Sequence, residues 1–261
     1  MLPELELTDA VALVTGGNRG IGRGIALGLA RSGAAIAIAA RDQERTDAVV
    51  EEIRTLGRQA IGIPCDVTQR HQVQSAVETV RRELGKLTIL VNNAGINRLS
   101  PPEALTEQDW DAVLDGNLKS AMFVAQAVYP ALVANGGGKI INISSAIAGM
   151  ASELGVAYGV TKAGMVHLTT TLAAAWGKDN IQVNAILPGV IRTTMQARLT
   201  DEGFHNRVIR HTPAGRVAEP EELGGVAVFL ASRASDFMTG QALVFDGGAS
   251  IKTSTDFFVR D

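Results

Sequence analysis

Tyr158 and Lys162 are the residues whose types and spacing first suggest chemistry. They stand four positions apart in the segment YGVTK, so on a helix their side chains lie next to each other on one face. A phenol has a pKa of about 10, and a nearby ammonium group stabilises the phenolate and lowers that pKa. Such a pair can exchange a proton with a substrate oxygen. The pattern alone is common on solvent-facing helices, so its meaning depends on the motifs around it.

A glycine-rich turn lies near the N-terminus. The apolar run Val11–Thr15 leads into Gly16-Gly17-Asn18-Arg19-Gly20-Ile21-Gly22, a G-x-x-x-G-x-G pattern that opens a segment of helical period. Glycines permit a tight turn and a close approach of the backbone to a pyrophosphate, and the helix N-terminus supplies free N–H donors. The turn predicts a dinucleotide site, with a glycine-rich helix entry that binds nothing as the alternative.

Short apolar runs alternate along the chain with longer segments of helical period. This alternation is typical of a parallel sheet covered by helices on both faces. The predicted strands are Val11–Thr15, Ala35–Ala40, Ala60–Pro64, Thr88–Val91, Lys139–Ile143, Ile181–Leu187 and Ala242–Phe245. The predicted helices are Ile21–Arg31, Gln43–Leu56, Gln69–Leu84, Glu107–Val133, Val156–Trp176 and Pro220–Ala231.

The alternation stops at residues 192–216, a polar stretch that we expect to be irregular. Long insertions at the strand ends of such sheets are commonly functional, so we interpret this stretch as a substrate lid. No repeat or linker divides the sequence, and we therefore predict an α/β protein with one domain over residues 1–261.

Composition excludes several function classes. Lys and Arg total 24 against 27 Asp and Glu, and no basic stripe suggests nucleic acid or an anionic membrane as a partner. No apolar run is long enough to span a bilayer, and no secretory signal is evident. Cys65 is the single cysteine, and the four histidines show no metal-ligand spacing, so we expect a cytoplasmic protein without a metal.

Further motifs follow the glycine turn in a fixed order. Asp66-Val67 follows the third predicted strand, Asn92-Asn93-Ala94-Gly95 the fourth, Pro188-Gly189 the sixth and Asp246-Gly247-Gly248 the last. With Thr15–Gly22 they resemble the motifs of the short-chain dehydrogenase/reductase family, from Val11 to Gly248. The resemblance implies a Rossmann fold with a doubly wound, seven-stranded parallel sheet in the order 3-2-1-4-5-6-7.

The resemblance also implies four catalytic residues: Asn117, Ser145, Tyr158 and Lys162. Tyr158 would be the general acid/base, Ser145 would bind the substrate oxygen, and Asn117 would help hold a water that relays protons to Lys162. Ser144 competes with Ser145, because neighbouring strand residues face opposite sides of a sheet; we select Ser145 on its spacing from Tyr158. Gly116 replaces the bulkier residue that is usual in the family before this asparagine.

The cofactor implied by the resemblance is a nicotinamide dinucleotide, for which we expect NADP(H). NAD-preferring members carry an acidic residue where this chain has Ala40, whereas Arg41 and Arg19 suit a 2′-phosphate; Asp42 leaves NAD(H) open. The expected cofactor-binding residues are Gly16, Asn18, Arg19, Gly20, Ile21, Gly22, Arg41, Asp66, Val67, Asn93, Ala94, Gly95, Tyr158, Lys162, Pro188, Gly189, Ile191 and Thr193.

The expected activity is NADP(H)-dependent interconversion of a ketone and a secondary alcohol, and the alternatives are an NAD-dependent sugar-acid dehydrogenase of the gluconate type and a non-catalytic NADP-binding regulator. The stretch 92–100 is similar to that of gluconate- and deoxygluconate-type dehydrogenases, while the overall pattern equally resembles 3-oxoacyl-carrier-protein reductases and reductases of small ketones. A sugar acid would need a cationic anchor, and the candidates are Arg98, Arg192, Arg207 and Arg210. An acyl or ketone substrate would instead contact Met195, Leu199, Phe204 and Val208. Glu153 and Leu154, between Ser145 and Tyr158, are expected to line the same crevice.

Assembly is also implied by the resemblance, which suggests a homotetramer. The helices predicted at Glu107–Val133 and Val156–Trp176 would pack across one two-fold interface, and the last helix and strand would form another. The tail 249–261, with Phe257-Phe258-Val259, either covers a neighbouring subunit's crevice or stays disordered.

Overall fold

Seven parallel strands form one sheet in the order β3-β2-β1-β4-β5-β6-β7. The structure, a computed structural model, describes residues 2–251 without the side chains of residues 197 and 198; Phe257-Phe258-Val259 lies outside the described residues. The strands are β1 Val11–Thr15, β2 Ala35–Ala40, β3 Ala60–Pro64, β4 Ile89–Asn92, β5 Gly138–Ile143, β6 Ile181–Pro188 and β7 Ala242–Phe245. The predicted fold and strand order are confirmed, and each strand agrees with its prediction within one residue.

The described residues form eight α-helices. They are α1 Gly20–Arg31, α2 Gln43–Thr55, α3 Arg70–Leu84, α4 Glu107–Leu114, α5 Ser120–Ala134, α6 Val156–Trp176, α7 Glu202–His211 and α8 Leu223–Ala231. Side-chain caps begin three of them, from Asp42 at α2, Thr106 at α4 and Asp201 at α7. A capping oxygen accepts a backbone N–H that the first turn leaves without a partner.

Two apolar clusters, one on each face, hold the helices on the sheet. Val14 and Ile38 point into the cluster with α1 and α8, while Leu13 and Ala37 point into the cluster with α3, α5 and α6. All five residues of β1 are buried, as expected for a central strand covered on both sides. The order of the strands reverses where β1 lies between β2 and β4. In such sheets the ligand crevice opens at this point, beyond the carboxyl ends of the strands.

Two predicted elements differ from the structure. The helix expected over Glu107–Val133 is interrupted by a π-helical turn at Asp115–Lys119, which separates α4 from α5. The stretch 192–216, expected to be irregular, contains the 3-10 segment Thr194–Thr200 and the whole of α7. Helix α7 escaped prediction because its apolar residues are few and its other face is charged. No helix within residues 2–251 is long and apolar enough to cross a membrane.

Candidate active site

The turn after β1 and the loop after β4 are held together by a network around Thr15. The Thr15 hydroxyl accepts hydrogen bonds from the backbone N–H groups of Asn93, at 3.0 Å, and Ala94, at 3.1 Å. The Asn93 side-chain amide donates to the carbonyl oxygens of Thr15, at 2.9 Å, and Gly16, at 3.0 Å. These bonds set the geometry of the glycine turn beside the sheet.

The glycine turn leaves no room for side chains. A Cβ atom on Gly22 would lie 2.4 Å from the Gly16 carbonyl oxygen, well inside contact distance. Gly20 begins α1 with a positive φ of 50°, which disfavours other residues. Arg19 is the N-cap of α1, and its side chain accepts no hydrogen bond there. The backbone N–H groups of the first turn, including that of Ile21, are therefore not capped by this side chain. A helix start of this kind fits a pyrophosphate.

The end of β2 carries the groups that would meet a 2′-phosphate. Arg19 and Arg41 are both exposed, and Nη1 of Arg41 lies 3.9 Å from the Asp66 carboxylate. Asp42 is engaged elsewhere: its Oδ1 accepts the Arg45 N–H at 3.1 Å, and its Oδ2 lies 3.2 Å from Arg45 Nε. The Asn18 amide donates to the Asp42 carbonyl at 3.2 Å. The Asp42 carboxylate therefore caps α2.

The segment after β3 contains a fixed carboxylate. Asp66 Oδ1 accepts hydrogen bonds from the Thr68 N–H at 3.0 Å and the Thr68 hydroxyl at 2.8 Å. Burial raises the pKa of Asp66, but these bonds and the charge of Arg41 outweigh burial and bring the pKa below its usual value. Val67 packs partly buried against the core. Burial beside Asp66 raises the pKa of the Cys65 thiol to about 11, so this thiol stays protonated at neutral pH.

The chain after β6 returns to the glycine turn. β6 ends at Pro188, and Gly189 packs so closely on Asp246 that an added Cβ would lie 2.7 Å from the Asp246 Cβ. Ile191 is buried and forms an isolated parallel bridge with Ala218. The Thr193 methyl carbon lies 3.1 Å from the position that a Cβ on Gly20 would take. The expected cofactor segments after β1, β4 and β6 thus converge at one edge of the sheet.

Tyr158 and Ser145 meet at this edge. Tyr158 lies in the first turn of α6. Ser145 lies just after the end of β5, where it is the N-cap of the short 3-10 helix Ala146–Gly149. Burial raises the pKa of the Tyr158 phenol above its usual value, and a hydrogen bond with the Ser145 hydroxyl lowers it only in part. The phenol is therefore fully protonated at neutral pH in this structure.

Ser144 faces the other way, as the alternation of side chains along a strand requires. Its buried hydroxyl donates to the Lys162 carbonyl oxygen at 2.7 Å, on the body of α6. Ser145 is only partly buried. Its hydroxyl lowers the pKa of Tyr158 and also donates a long hydrogen bond of 3.4 Å to the Pro188 carbonyl. Of the two serines, Ser145 is the one beside the tyrosine.

Lys162 lies one helical turn after Tyr158, with 5% of its surface exposed. Its ammonium donates to the Ile143 carbonyl oxygen at 2.8 Å and lies 5.4 Å from the centroid of the Tyr158 ring. Burial lowers the pKa of Lys162 to about 8. The expected lowering of the Tyr158 pKa by Lys162 is not found. Burial raises the pKa of the phenol, and the Lys162 ammonium donates its hydrogen bond to the Ile143 carbonyl instead.

Asn117 is completely buried in the π-helical turn. Its Oδ1 accepts the Ile96 N–H at 2.7 Å, and its Nδ2 donates to the Ile96 carbonyl at 2.9 Å and to the Thr161 hydroxyl at 3.2 Å. The side chain thus clamps the loop after β4, including Gly95, onto α6. These three hydrogen bonds fix the orientation of the Asn117 amide.

The candidate substrate residues have different surroundings. Arg98 is exposed with its Nε 3.6 Å from Asp109, whereas Arg192 is paired with Glu219 at 2.8 Å. Arg207 lies over the Phe204 ring at 5.9 Å, and Arg210 also has an interaction partner. Of the apolar candidates, Leu199 is buried, Met195 and Leu154 are exposed, and Val208 is partly buried; Glu153 is exposed. Of the anchor candidates, Arg98 lies on the loop after β4 that Asn117 holds against α6.

A cavity of about 310 Å³ lies next to this edge, between the ends of β6 and β7 and the chain at 212–218. Ile191 and Asp246 contribute to its walls, but none of the four catalytic candidates does. The site is thus better defined by the convergence of the three loops than by this cavity. Within the described residues, no group of three or more His, Cys, Asp or Glu side chains could hold a metal ion.

Comparison with known proteins places the chain in a family. A family model described as enoyl-(acyl carrier protein) reductase matches residues 16–250. Gluconate 5-dehydrogenase of Gluconobacter oxydans (strain 621H) is 41% identical over 251 residues, covering 95% of this chain and 98% of the relative. The chain belongs to the short-chain dehydrogenase/reductase family.

Two further family members support the likeness to sugar-acid enzymes. The 5-keto-D-gluconate 5-reductase of Escherichia coli (strain K12) is 41% identical over 241 residues, covering 90% of this chain and 93% of the relative. A crystal structure of gluconate 5-dehydrogenase from Burkholderia cenocepacia J2315, in complex with NADP and tartrate, has a TM-score of 0.92. It is 39% identical, with 96% of this chain and 98% of that chain covered. The chain is thus an oxidoreductase of this family, which binds a nicotinamide cofactor.

Two contacts of the site were missed by the sequence reasoning. Thr15 was noted only as part of the glycine motif, although its hydroxyl joins two loops, and the Ile143 carbonyl was not foreseen as the partner of Lys162. Of these two, only Thr15 carried a sequence signal, because it heads the motif. Asn97, in the stretch 92–100, and His205, in the expected lid, each have a buried polar atom without a partner among the described residues.

Proposed function

We propose that the chain is an NADP(H)-dependent oxidoreductase that interconverts a ketone and a secondary alcohol on a sugar acid of the gluconate class. The observation that carries this proposal is the placement of Tyr158 beside Ser145, whose hydroxyl acts on the pKa of the phenol, with the Lys162 ammonium 5.4 Å from the centroid of the Tyr158 ring. The sugar-acid part draws on the relatives named for gluconate and 5-keto-D-gluconate.

The bound cofactor would supply or accept the hydride at the reacting carbon. In the reducing direction, the Tyr158 phenol, which is neutral in this structure, donates its proton to the substrate oxygen. The Ser145 hydroxyl donates a hydrogen bond to the same oxygen and stabilises the negative charge that develops there. Lys162, with a pKa of about 8, is cationic at neutral pH and stabilises the tyrosinate left behind.

The preference for NADP(H) is proposed from Arg19 and Arg41. Both guanidinium groups are exposed beside the end of β2, and the neighbouring Asp42 carboxylate is used to cap α2. Arginine pairs strongly with phosphate, whereas an enzyme that prefers NAD binds the ribose hydroxyl with an acidic residue, and this chain has Ala40 at the position that such enzymes use. We expect Arg41→Ala to raise the KM for NADPH about tenfold and to leave the KM for NADH within about twofold.

An assay of NADPH oxidation tests the function. We expect turnover with 5-keto-D-gluconate in preference to an acetoacetyl thioester and to cyclohexanone, which stand for the 3-oxoacyl and small-ketone alternatives. Arg98→Ala should raise the KM for the sugar acid, because its exposed guanidinium lies on the loop clamped by Asn117. Equal turnover of the acyl thioester would contradict the proposed substrate class.

A non-catalytic NADP-binding regulator is separated by Tyr158→Phe. If the chain is an enzyme, this variant loses turnover by a factor of about 100 or more, while NADPH fluorescence titration gives the parental affinity. A parent protein that binds NADPH but turns over none of the three carbonyl compounds would favour the regulator.

We further propose one domain with a lid over 192–216, assembled as a homotetramer. The lid is supported by α7, whose partly buried residues lie on one face of the helix. The assembly is supported by β7, an edge strand that exposes Val244, and by Phe237 and Val160, which are exposed on the loop before β7 and on α6. Val244→Glu should lower the mass measured by light scattering to that of a smaller oligomer, whereas Glu153→Gln should not.

A further inference from the structure

Two buried polar atoms lack a hydrogen-bond partner within the described chain: Asn97 Oδ1 and His205 Nδ1. Folded proteins pair nearly all of their buried polar groups, because a buried unpaired group loses its hydration without compensation. Such atoms are expected where another molecule completes the bonding. Asn97 lies on the loop after β4, and His205 lies in the segment after β6, two of the segments that converge at the carboxyl edge of the sheet.

Asn97 lies on a loop held at both ends against the catalytic elements. On one side, Asn117 binds both the N–H and the carbonyl of Ile96. On the other side, the Ser100 N–H donates to the Leu154 carbonyl at 2.9 Å, and Ser100 forms a parallel bridge with Gly155. Gly155 is the N-cap of α6, three residues before Tyr158. The Asn97 amide is therefore positioned by the same elements that position the catalytic tyrosine.

His205 lies on the face of α7 that turns toward the body of the protein. The partly buried residues of α7 are Phe204, His205, Val208 and Ile209, a spacing that places them on one side of the helix. The segment that contains α7 begins at Thr193 against the glycine turn and ends at Thr212, which packs on Gly247. Helix α7 thus lies in a segment whose two ends contact loops at the carboxyl edge of the sheet, and His205 is on the more buried side of this helix.

We propose that Asn97 and His205 are specificity-determining residues that hydrogen-bond hydroxyl groups of a polyhydroxylated substrate. This proposal rests on the proposed function and extends it by assigning the hydroxyl groups to side chains. The Asn97 amide oxygen accepts a hydrogen bond from a hydroxyl, and the His205 Nδ1 accepts or donates one according to its tautomer. A site built in this way discriminates against substrates without hydroxyls, because the two buried atoms then stay unpaired.

The test compares 5-keto-D-gluconate with 4-oxopentanoate, a carboxylated ketone that has no hydroxyl groups. We expect Asn97→Leu and His205→Leu each to lower kcat/KM for 5-keto-D-gluconate about tenfold or more, mainly through KM. For 4-oxopentanoate, kcat/KM should stay within about twofold of the parent. Asn206→Leu, on the exposed side of α7, is the matched control and should change neither value.

Stability distinguishes a substrate contact from a structural one. Since neither atom has a partner to lose, Asn97→Leu and His205→Leu should melt at the parental temperature or above it. Asn92→Leu should melt lower, because the Asn92 amide donates to the Ala121 carbonyl at 3.2 Å and to Asn142 Oδ1 at 2.9 Å. A lower melting temperature for both test variants would indicate a structural role and would overturn the proposal.

The kinetic outcomes also separate this proposal from the proposed function. If the parent reduces 5-keto-D-gluconate and both variants keep its KM, the assignment of Asn97 and His205 is overturned while the function stands. If the parent reduces 4-oxopentanoate with the higher kcat/KM, the hydroxyl specificity is overturned while the reaction type stands. If the parent reduces neither compound, the proposed function and this inference both fall.

Discussion

Burial of the Lys162 ammonium group makes the folded state less stable than it would be with an apolar side chain at this position. The pKa of Lys162 falls from 10.5 to about 8. Each tenfold loss of proton affinity is worth about 1.4 kcal/mol, so keeping this lysine protonated at pH 7 costs the folded protein about 3 kcal/mol. We therefore expect Lys162→Met to stabilise the fold although it removes a catalytic candidate.

One lost bond reduces the gain. The Lys162 ammonium donates to the Ile143 carbonyl at 2.8 Å, and methionine cannot replace that bond, which costs about 1 kcal/mol. The net expectation at pH 7 is that Lys162→Met raises the free energy of unfolding by about 2 kcal/mol.

The dependence on pH identifies the cause. The pKa is lower in the folded state, so between about 8 and 10.5 the unfolded chain binds more protons at Lys162 and the parent gains stability as the pH rises. By pH 10 the cost of the buried charge has fallen to about 1 kcal/mol, and the lost bond offsets it. The advantage of the variant should therefore shrink to about zero.

Urea unfolding of the cofactor-free proteins at pH 7 and pH 10 measures both values. Lys178→Met, at an exposed lysine after α6, is the matched control and should show no difference that changes with pH in this way. A Lys162→Met protein that is less stable than the parent at pH 7, or more stable by the same amount at both pH values, would refute the argument from burial.

Two further predictions test the cofactor site. Gly22→Ala places a Cβ 2.4 Å from the Gly16 carbonyl oxygen, so it should weaken NADPH binding about tenfold or more in a fluorescence titration; Gly225→Ala, where a Cβ meets nothing within 4 Å, should leave binding unchanged. Asp42→Ala removes the cap of α2 and should lower the free energy of unfolding by about 1 kcal/mol without altering the ratio of the KM values for NADPH and NADH. A variant Asp42→Ala with a changed coenzyme ratio would show that the carboxylate faces the ribose after all.

The alternation of apolar runs and helical segments, together with the order of short motifs, was enough to predict the sheet. Strands buried on both faces are apolar throughout, so their bounds follow from the sequence within one residue. The glycine turn could also be predicted from the sequence. A Cβ at position 22 would clash with the Gly16 carbonyl oxygen, so the fold requires glycine there.

Other features depend on contacts between residues that are far apart in the sequence. The direction of the Lys162 ammonium toward the Ile143 carbonyl and the clamp of Asn117 on Ile96 each join a side chain to a partner that no local pattern identifies. The pKa of Tyr158 was predicted in the wrong direction because spacing reports the neighbouring lysine, whereas burial is a property of the packed protein.

The sequence by itself thus determined the fold class, the family and the residue types at the reactive edge. Tertiary structure alone decided which partners the arginines have and which polar atoms of the described residues are left without one. The physical reason is that periodicity and glycine requirements act over a few residues, while desolvation and hydrogen-bond pairing depend on every element that packs around a group.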